Sequence, residues 1–224
     1  MSKELIQNAD DAGATEVKFL FDSRDNAFGT SSLVNVGLSK FQGPALYVYN
    51  NALFKDQDWA GIESIMQGSK KKDPMAAGRF GVGFNSVYHV TDLPSVISDQ
   101  HIAFLDPQET YFGAGETGRR YDISEPLIQQ YRDQFSPYEN VLGCKISSGM
   151  FDGTLFRLPL RKWPSKISIK PYTAGKINGL FESFHGGSAG NFTFSQKCRD
   201  HKYLRGLVGL RRRRNFSLCK SRRS

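Results

Sequence analysis

Residues 3–21 read Lys3-Glu4-Leu5-Ile6-Gln7-Asn8-Ala9-Asp10-Asp11-Ala12-Gly13-Ala14-Thr15-Glu16-Val17-Lys18-Phe19-Leu20-Phe21, and this stretch decides the fold class. Leu5, Ala9 and Ala12 recur at i, i+4, i+7, the spacing of one helix stripe, while Glu4, Asn8 and Asp11 repeat it on an adjacent stripe. Gly13, free to take a positive φ, ends the helix. From Glu16 onward apolar and polar residues alternate as in a half-buried strand. Helix, tight turn and strand form the opening unit. Glu4 and Asn8 stand one helical turn apart on one face. A carboxylate there can orient a water as general base, and a carboxamide oxygen is a hard ligand suited to Mg²⁺. Taken alone, such a pair more often decorates a solvated face.

Working outward, Gln42-Gly43-Pro44 marks a turn before an apolar strand over residues 45–49, which ends in the turn-forming pair Asn50-Asn51. Residues 58–67 read as a helix, and residues 68–74 as a hydrophilic, lid-like loop carrying Lys70, Lys71 and Lys72, a run expected to be simply solvated. Residues 78–83 are glycine-rich and open a helix that runs to about Val90; His89 on that helix is expected to be a partly buried core residue. Residues 95–98 and 102–105 read as a hairpin, and after Asp152-Gly153 residues 154–158 alternate as a further strand. Helices and strands mix without a βαβα rhythm. The expected class is α+β: a two-layer α/β sandwich in which helices cover one face of a largely antiparallel mixed sheet.

The charge of +8 over 224 residues suggests a polyanion partner until the chain is divided. Residues 1–160 hold 14 Lys and Arg against 20 Asp and Glu, net −6; residues 161–224 hold 16 against 2, net +14. The basicity belongs to the tail. From residue 185 the sequence turns linker-like through Gly186 to Gly190 and then carries the run Arg211 to Arg214, so residues 185–224 are expected to be disordered. Binding of nucleic acid through this tail is the functional alternative. Cys144, Cys198 and Cys219 form no CxxC pair, and His185, Cys198 and His201 lack a fourth ligand for zinc. No apolar run approaches the roughly 18 residues of a membrane span, and no signal peptide opens the chain, so a cytoplasmic protein without a membrane partner is expected.

Gly78-Arg79-Phe80-Gly81-Val82-Gly83-Phe84 carries the sharpest chemistry. Glycines let the backbone approach an anion closely, and the helix that follows points unpaired N–H groups at it, so phosphate is the natural ligand. A packing turn is the plain alternative. GxxxxGK[ST] fails because Phe84 and Asn85 follow Gly83, and GxGxxG fails because Ser86 stands at the last glycine. The loop is neither a P-loop nor a Rossmann fingerprint.

The stretch Glu4 to Ala14, taken with residues 78–94, resembles the Bergerat-type nucleotide-binding fold of gyrase, the heat-shock protein 90 chaperones, histidine kinases and mismatch-repair ATPases. Within that superfamily the chain is similar to the sacsin (sacsin/Nov-type) domain over about 160 residues, through 44–54, the lid-like loop, 78–94, 104–113 and 153–161. The resemblance implies an ATP-binding domain over residues 1–160, a partial continuation over 161–184 and a basic tail over 185–224. It makes Glu4 the catalytic base and Asn8 the Mg²⁺ ligand, with Asp11 and Ala12 on the helix wall beside the nucleotide. Gly78, Gly81, Val82, Gly83 and Phe84 form the loop that wraps the triphosphate, and Thr154 supplies a hydroxyl near the adenine. Where the superfamily has DxGxG, with an Asp accepting from the adenine amino group, this chain has Asn50-Asn51-Ala52-Leu53-Phe54. Asn50 keeps the acceptor and loses the charge. Related domains also extend the first helix upstream, so the resemblance implies that an amino-terminal part of the domain is missing and that hydrolysis awaits it. The implied function is a chaperone or co-chaperone module that binds Mg-ATP and hydrolyses it slowly, acting in protein folding and quality control with the seventy-kilodalton heat-shock chaperone and client proteins. A non-hydrolysing interaction scaffold and polyanion binding by the tail stay open beside it.

Overall fold

The computed structural model describes residues 1–25, 27–66, 83–186, 192–196 and 204–212. The chain opens with α1 (Ser2–Asp11), which buries Leu5 and Ala9, and Gly13 stops it at φ +80°. β1 (Glu16–Asp22) follows, then a 3₁₀ turn (Val36–Phe41), β2 (Ala45–Asn50) and α2 (Asp56–Met66). After a second 3₁₀ turn (Phe84–His89) come β3 (Ser95–Asp99), β4 (His101–Leu105) and β5 (Gly118–Asp122). The short helices α3 (Leu127–Gln130) and α4 (Arg132–Phe135) lead to β6 (Phe151–Pro159), α5 (Ala174–Gly186), β7 (Phe192–Gln196) and β8 (Leu204–Arg212).

The eight strands form one sheet in the order β5-β4-β3-β6-β2-β1-β8-β7, and every pairing is antiparallel. β6 comes late in sequence yet inserts between β2 and β3. Its register sets Thr154 opposite both Asn50 of β2 and Ser98 of β3, and Asn50 in turn lies opposite Val17 of β1. Side chains alternate across a sheet, so residues directly opposite share a face. Val17, Phe19, Leu46, Val48, Phe156 and Leu158 line one face and pack against α1, α2, the Phe84–His89 turn and α5. Asn50, Thr154 and Ser98 have the same parity. They therefore form a polar row at the end of the helix-covered face, where burial of each large apolar side chain contributes about 1.5–3 kcal/mol.

The architecture is the expected α+β sandwich, with the long helices on one face. The opposite face is covered as well: Leu20, Tyr47, Ile97 and Leu155 pack beneath the Val36–Phe41 turn, α3, α4 and Tyr138. These pieces are too short to show a helical stripe in sequence. Beneath them Arg157, 3% exposed, donates to the Tyr47 hydroxyl at 3.0 Å and the Gly43 carbonyl at 3.1 Å, so neutral acceptors carry its hydrogen bonds.

Two expectations are corrected. The segment after Gly83 is 3₁₀ rather than α-helical, so Phe84 and Val87 point inward at a spacing of three, and His89 is exposed instead of partly buried. Residues 192–196 and 204–212, expected to lack order, are strands. Leu204, Leu207, Val208 and Leu210 lie on the free edge of β1, whose unpaired N–H and C=O groups take a main-chain ladder, and Arg211 falls opposite Glu16. The helix-covered core runs on past residue 160 through Ile177 and Phe181 of α5, inside the stretch 161–184 read as a partial continuation of the domain. Lys70 to Lys72, Cys198, Cys219 and His201 lie outside the described residues. Among the described residues no helix is long and apolar enough to cross a membrane. Cys144 is a buried free thiol whose pKa burial pushes up to about 12.

Candidate functional site

Glu4 lies exposed in the first turn of α1, and Asn8 lies half-buried one turn on. Gly83 faces Glu4: a methyl group on its Cα would run into the Glu4 carboxylate, with Cδ at 3.0 Å. Gly83 has ordinary helical angles, φ −64° and ψ −38°, so glycine serves there for close approach and not for an unusual backbone. The chain thus brings together Glu4 and the end of the glycine loop, segments nearly 80 positions apart. Phe84 is a core residue. Its ring, 1% exposed, stands 5.8 Å from that of Phe156 and fixes the turn between α1 and β6. Gly78, Gly81 and Val82 lie outside the described residues.

The other end of α1 is tied to the end of β2. Asn51 accepts through Oδ1 from the Thr15 and Glu16 amides at 2.9 and 3.0 Å and donates through Nδ2 to the Thr15 hydroxyl at 2.9 Å. A ten-residue helix spans about 15 Å, so α1 runs from the Gly83 contact to the Asn50-Asn51 corner. Near that corner Ala12 caps the helix with its amide on the Asn8 carbonyl at 3.0 Å, and exposed Asp11 accepts from the Gln7 side chain at 2.9 Å.

Asn50 is buried, and its Oδ1 accepts from the Ala52 amide at 3.0 Å. Thr154, 1% exposed, donates to the Ala52 carbonyl at 2.7 Å. Ser98 completes the row: its Oγ lies 3.0 Å from Thr154 Oγ1, donates to the Gly153 carbonyl at 2.9 Å and accepts from the Phe54 amide at 2.9 Å. The stretch from Asn50 to Phe54 is pinned at both ends. With its hydrogen committed to Ala52, the Thr154 hydroxyl offers a ligand only a lone pair, and Asn50 Oδ1 keeps one lone pair as well. The row thus offers acceptor lone pairs beside the N–H donors of Asn50 Nδ2.

Asn8 Nδ2 is buried without a hydrogen-bond partner among the described residues. An unsatisfied buried amide costs on the order of 1–3 kcal/mol, so this carboxamide has capacity to spare. Turned by 180° it presents oxygen in the same place, a donor set that suits a divalent cation next to the Glu4 face.

Sequence reasoning missed what holds the Phe84–His89 turn. Arg161, 2% exposed, sends Nε to Asp92 Oδ1 at 2.7 Å and its terminal nitrogens to the carbonyls of Tyr88, His89 and Thr91 at 2.5, 3.2 and 3.1 Å. Ser165 adds a second donor to Asp92 Oδ1 at 2.9 Å. A guanidinium here closes the last carbonyls of the turn, the end where helices attract cations. Asp106 was also missed. It is fully buried; Oδ2 accepts from the Thr110 and Tyr111 amides at 2.7 and 2.6 Å, while Oδ1 and the neighbouring Tyr88 hydroxyl have no partner among the described residues. Burial raises its pKa, against the lowering effect of those amides, and burial first and the Asp106 charge second raise that of Tyr88. The signal for both was an acidic residue within apolar sequence, Val90-Thr91-Asp92-Leu93 and Phe104-Leu105-Asp106.

A family model described as the Sacsin domain matches residues 1–203, beyond the stretch over which the motifs alone carry the likeness. Human sacsin is 46% identical over 203 residues, covering 88% of this chain, and the chain spans 4% of the length of that protein. On the extent of the match and the identity together, the chain belongs to the Sacsin domain family.

Proposed function

We propose that this domain binds Mg-ATP between α1, the Asn50 strand end and the glycine loop, as a nucleotide-binding module of the Bergerat type. The observation that carries the reading is the contact of the Glu4 carboxylate with Gly83, on the same sheet face as the acceptor row of Asn50, Thr154 and Ser98. Asn8 would hold Mg²⁺, which supplies neutralisation of phosphate charge. Amides at and before Gly83 receive the phosphates. Glu4, one turn from Asn8, accepts a proton from the attacking water. The acceptors Asn50 Oδ1 and Thr154 Oγ1 suit the amino group of adenine. Nucleotide-dependent closure would make the module a chaperone or co-chaperone component in cytosolic protein quality control, with the seventy-kilodalton heat-shock chaperone and its clients as partners.

A second reading, a non-hydrolysing interaction scaffold, is favoured by one observation: the polar row already satisfies itself through Ala52 and Phe54. Calorimetric titration and a phosphate-release assay separate the two. Binding of Mg-ATP by this chain, turnover in a chain extended at the amino terminus, retained binding and lost turnover in Glu4→Ala of the extended chain, and loss of binding in Gly83→Val are expected. Binding without turnover in either chain supports the scaffold, and equal affinity of Gly83→Val and the parent would refute the proposed cradle.

A further inference from the structure

A groove of about 400 Å³ lies away from the candidate nucleotide site, between the Val36–Phe41 turn, the segment after β4 and the segment after β6. That volume falls within the range of about 300–1,000 Å³ typical of ligand pockets. Its walls are aromatic. Phe41 and Tyr111 meet edge to face at 5.3 Å on one side, and Trp163, 57% exposed, stands on the other. Its rim carries Lys40, Lys162 and Lys166. Lys40 and Lys166 are exposed and have no carboxylate partner among the described residues, whereas partly exposed Lys162 pairs with exposed Asp25 at 2.6 Å. The floor is Arg161 with Asp92, a buried pair that cancels its own charge.

The groove is pre-built. Ser165 ties its loop to Asp92, the Lys166 amide donates to the Gln108 side chain at 3.2 Å, and Asp106 holds the Thr110 and Tyr111 amides opposite. Little ordering entropy is left for a ligand to lose. Exposed indole in a rigid, cationic groove is the composition of a binding hot spot.

We propose that this groove binds a short carboxylate-rich peptide segment with an aromatic or apolar residue at its centre. Carboxylates meet the free ammonium groups of Lys40 and Lys166 and displace Asp25 from Lys162; the central side chain packs between Trp163 and Tyr111. Charge excludes the chain's own remaining segments as the occupant. Residues 67–82 carry four basic residues and one acidic, and residues 213–224 carry five basic and none acidic, so the same rim repels both. A long phosphodiester is disfavoured because residues 1–160 are net −6 and would oppose it beyond the groove.

The test uses the full chain and reads tryptophan emission, with Trp163→Phe assigning the signal to the groove because the other tryptophan, Trp59, is buried. The probes are acetyl-Glu-Asp-Phe-Asp-Glu-amide, its Gln-Asn-Phe-Asn-Gln counterpart, tripolyphosphate and a single-stranded oligonucleotide. The acidic peptide should perturb Trp163, bind at least tenfold more tightly than the amide peptide, and weaken as salt rises. Lys40→Glu with Lys166→Glu should reduce its affinity at least tenfold while circular dichroism stays unchanged. If that double variant loses its circular dichroism, the milder Lys40→Gln and Lys166→Gln pair is read instead, with the same expectation. Equal binding of the two peptides, undiminished binding in the folded variant, tighter binding of tripolyphosphate or oligonucleotide, or no response up to about 1 mM peptide would each overturn the proposal.

Discussion

Replacing Arg161 with Met should be among the costliest single changes in this domain. Arg161→Met keeps much of the side-chain volume but leaves Asp92, 8% exposed, with Ser165 alone, and strips the carbonyls of Tyr88, His89 and Thr91 of a donor. Breaking a buried ion pair from one side costs about 3–5 kcal/mol, because the remaining charge stays buried. For a chain of this size each kcal/mol moves Tm by about 2–4 °C, so a fall of about 6–20 °C is expected. The control is Arg119→Met, whose pair with Glu116 is 40% and 49% exposed and should contribute no more than about 1 kcal/mol. Urea unfolding at pH 7, followed by far-UV circular dichroism, supplies both values. Adding Asp92→Asn to Arg161→Met should recover part of the loss by removing the stranded charge. If Arg161→Met costs no more than Arg119→Met, or if Asp92→Asn adds fully to it, the ion pair does not hold the turn and the reasoning fails.

Three further outcomes follow from individual positions. Gly153 has φ +129°, and a Cβ there would lie 2.7 Å from the Tyr49 ring and 2.8 Å from the Asn50 carbonyl. Gly153→Ala should therefore cost about 1–3 kcal/mol in chemical denaturation and disturb the Asn50–Thr154 row, whereas Gly179→Ala, in α5 with open space around it, should be neutral or stabilising. For Asp106, whose native pKa is raised by burial, the folded state holds the proton more tightly than the unfolded chain. The stability tied to that carboxyl is complete below the ordinary value of about 3.9 and is lost as pH rises through the raised native value. Asp106→Asn preserves an acceptor for the Thr110 and Tyr111 amides and removes the buried charge. It should gain about 1 kcal/mol at pH 7, a gain that shrinks toward pH 3; a loss of stability at neutral pH would contradict it.

The parts of the fold that were legible in sequence are those with a strong local period. The stripe of Leu5 and Ala9, the stop at Gly13, the alternating runs of β1 and β6, the apolar run of β2 and the hairpin of β3 and β4 each recur in the structure within a few residues. What escaped was set by distant partners. β5 reads Gly118-Arg119-Arg120-Tyr121-Asp122, with no apolar alternation, and is a strand because β4 offers it an edge. β8 lies in a basic tail and takes its order from the open side of β1. The second cover layer consists of turns of three to six residues, below the length at which a helical period can be seen.

The candidate site divides in the same way. Glu4, Asn8 and Gly83 were readable because spacing on one helix and a glycine-rich run are local signals, and the fold brings Glu4 and Gly83 into contact. Ser98 and Asn51 were not. Their roles depend on the insertion of β6 between β2 and β3 and on the packing of the α1 corner, neither of which has a sequence period. Arg161 and Asp92 stand 69 positions apart and meet only when the Phe84–His89 turn is in place. Thr154 was readable as a strand residue, but the direction of its hydroxyl hydrogen, toward Ala52, follows from the loop between Asn50 and Phe54.

Amide hydrogen exchange with and without Mg-ATP tests the proposed nucleotide site most directly. The account predicts that added Mg-ATP slows exchange together in α1, in residues 50–54 and in the Phe84–His89 turn, with little change along β4 and β5. Unchanged exchange at saturating nucleotide, or protection confined to segments outside those three, would contradict it.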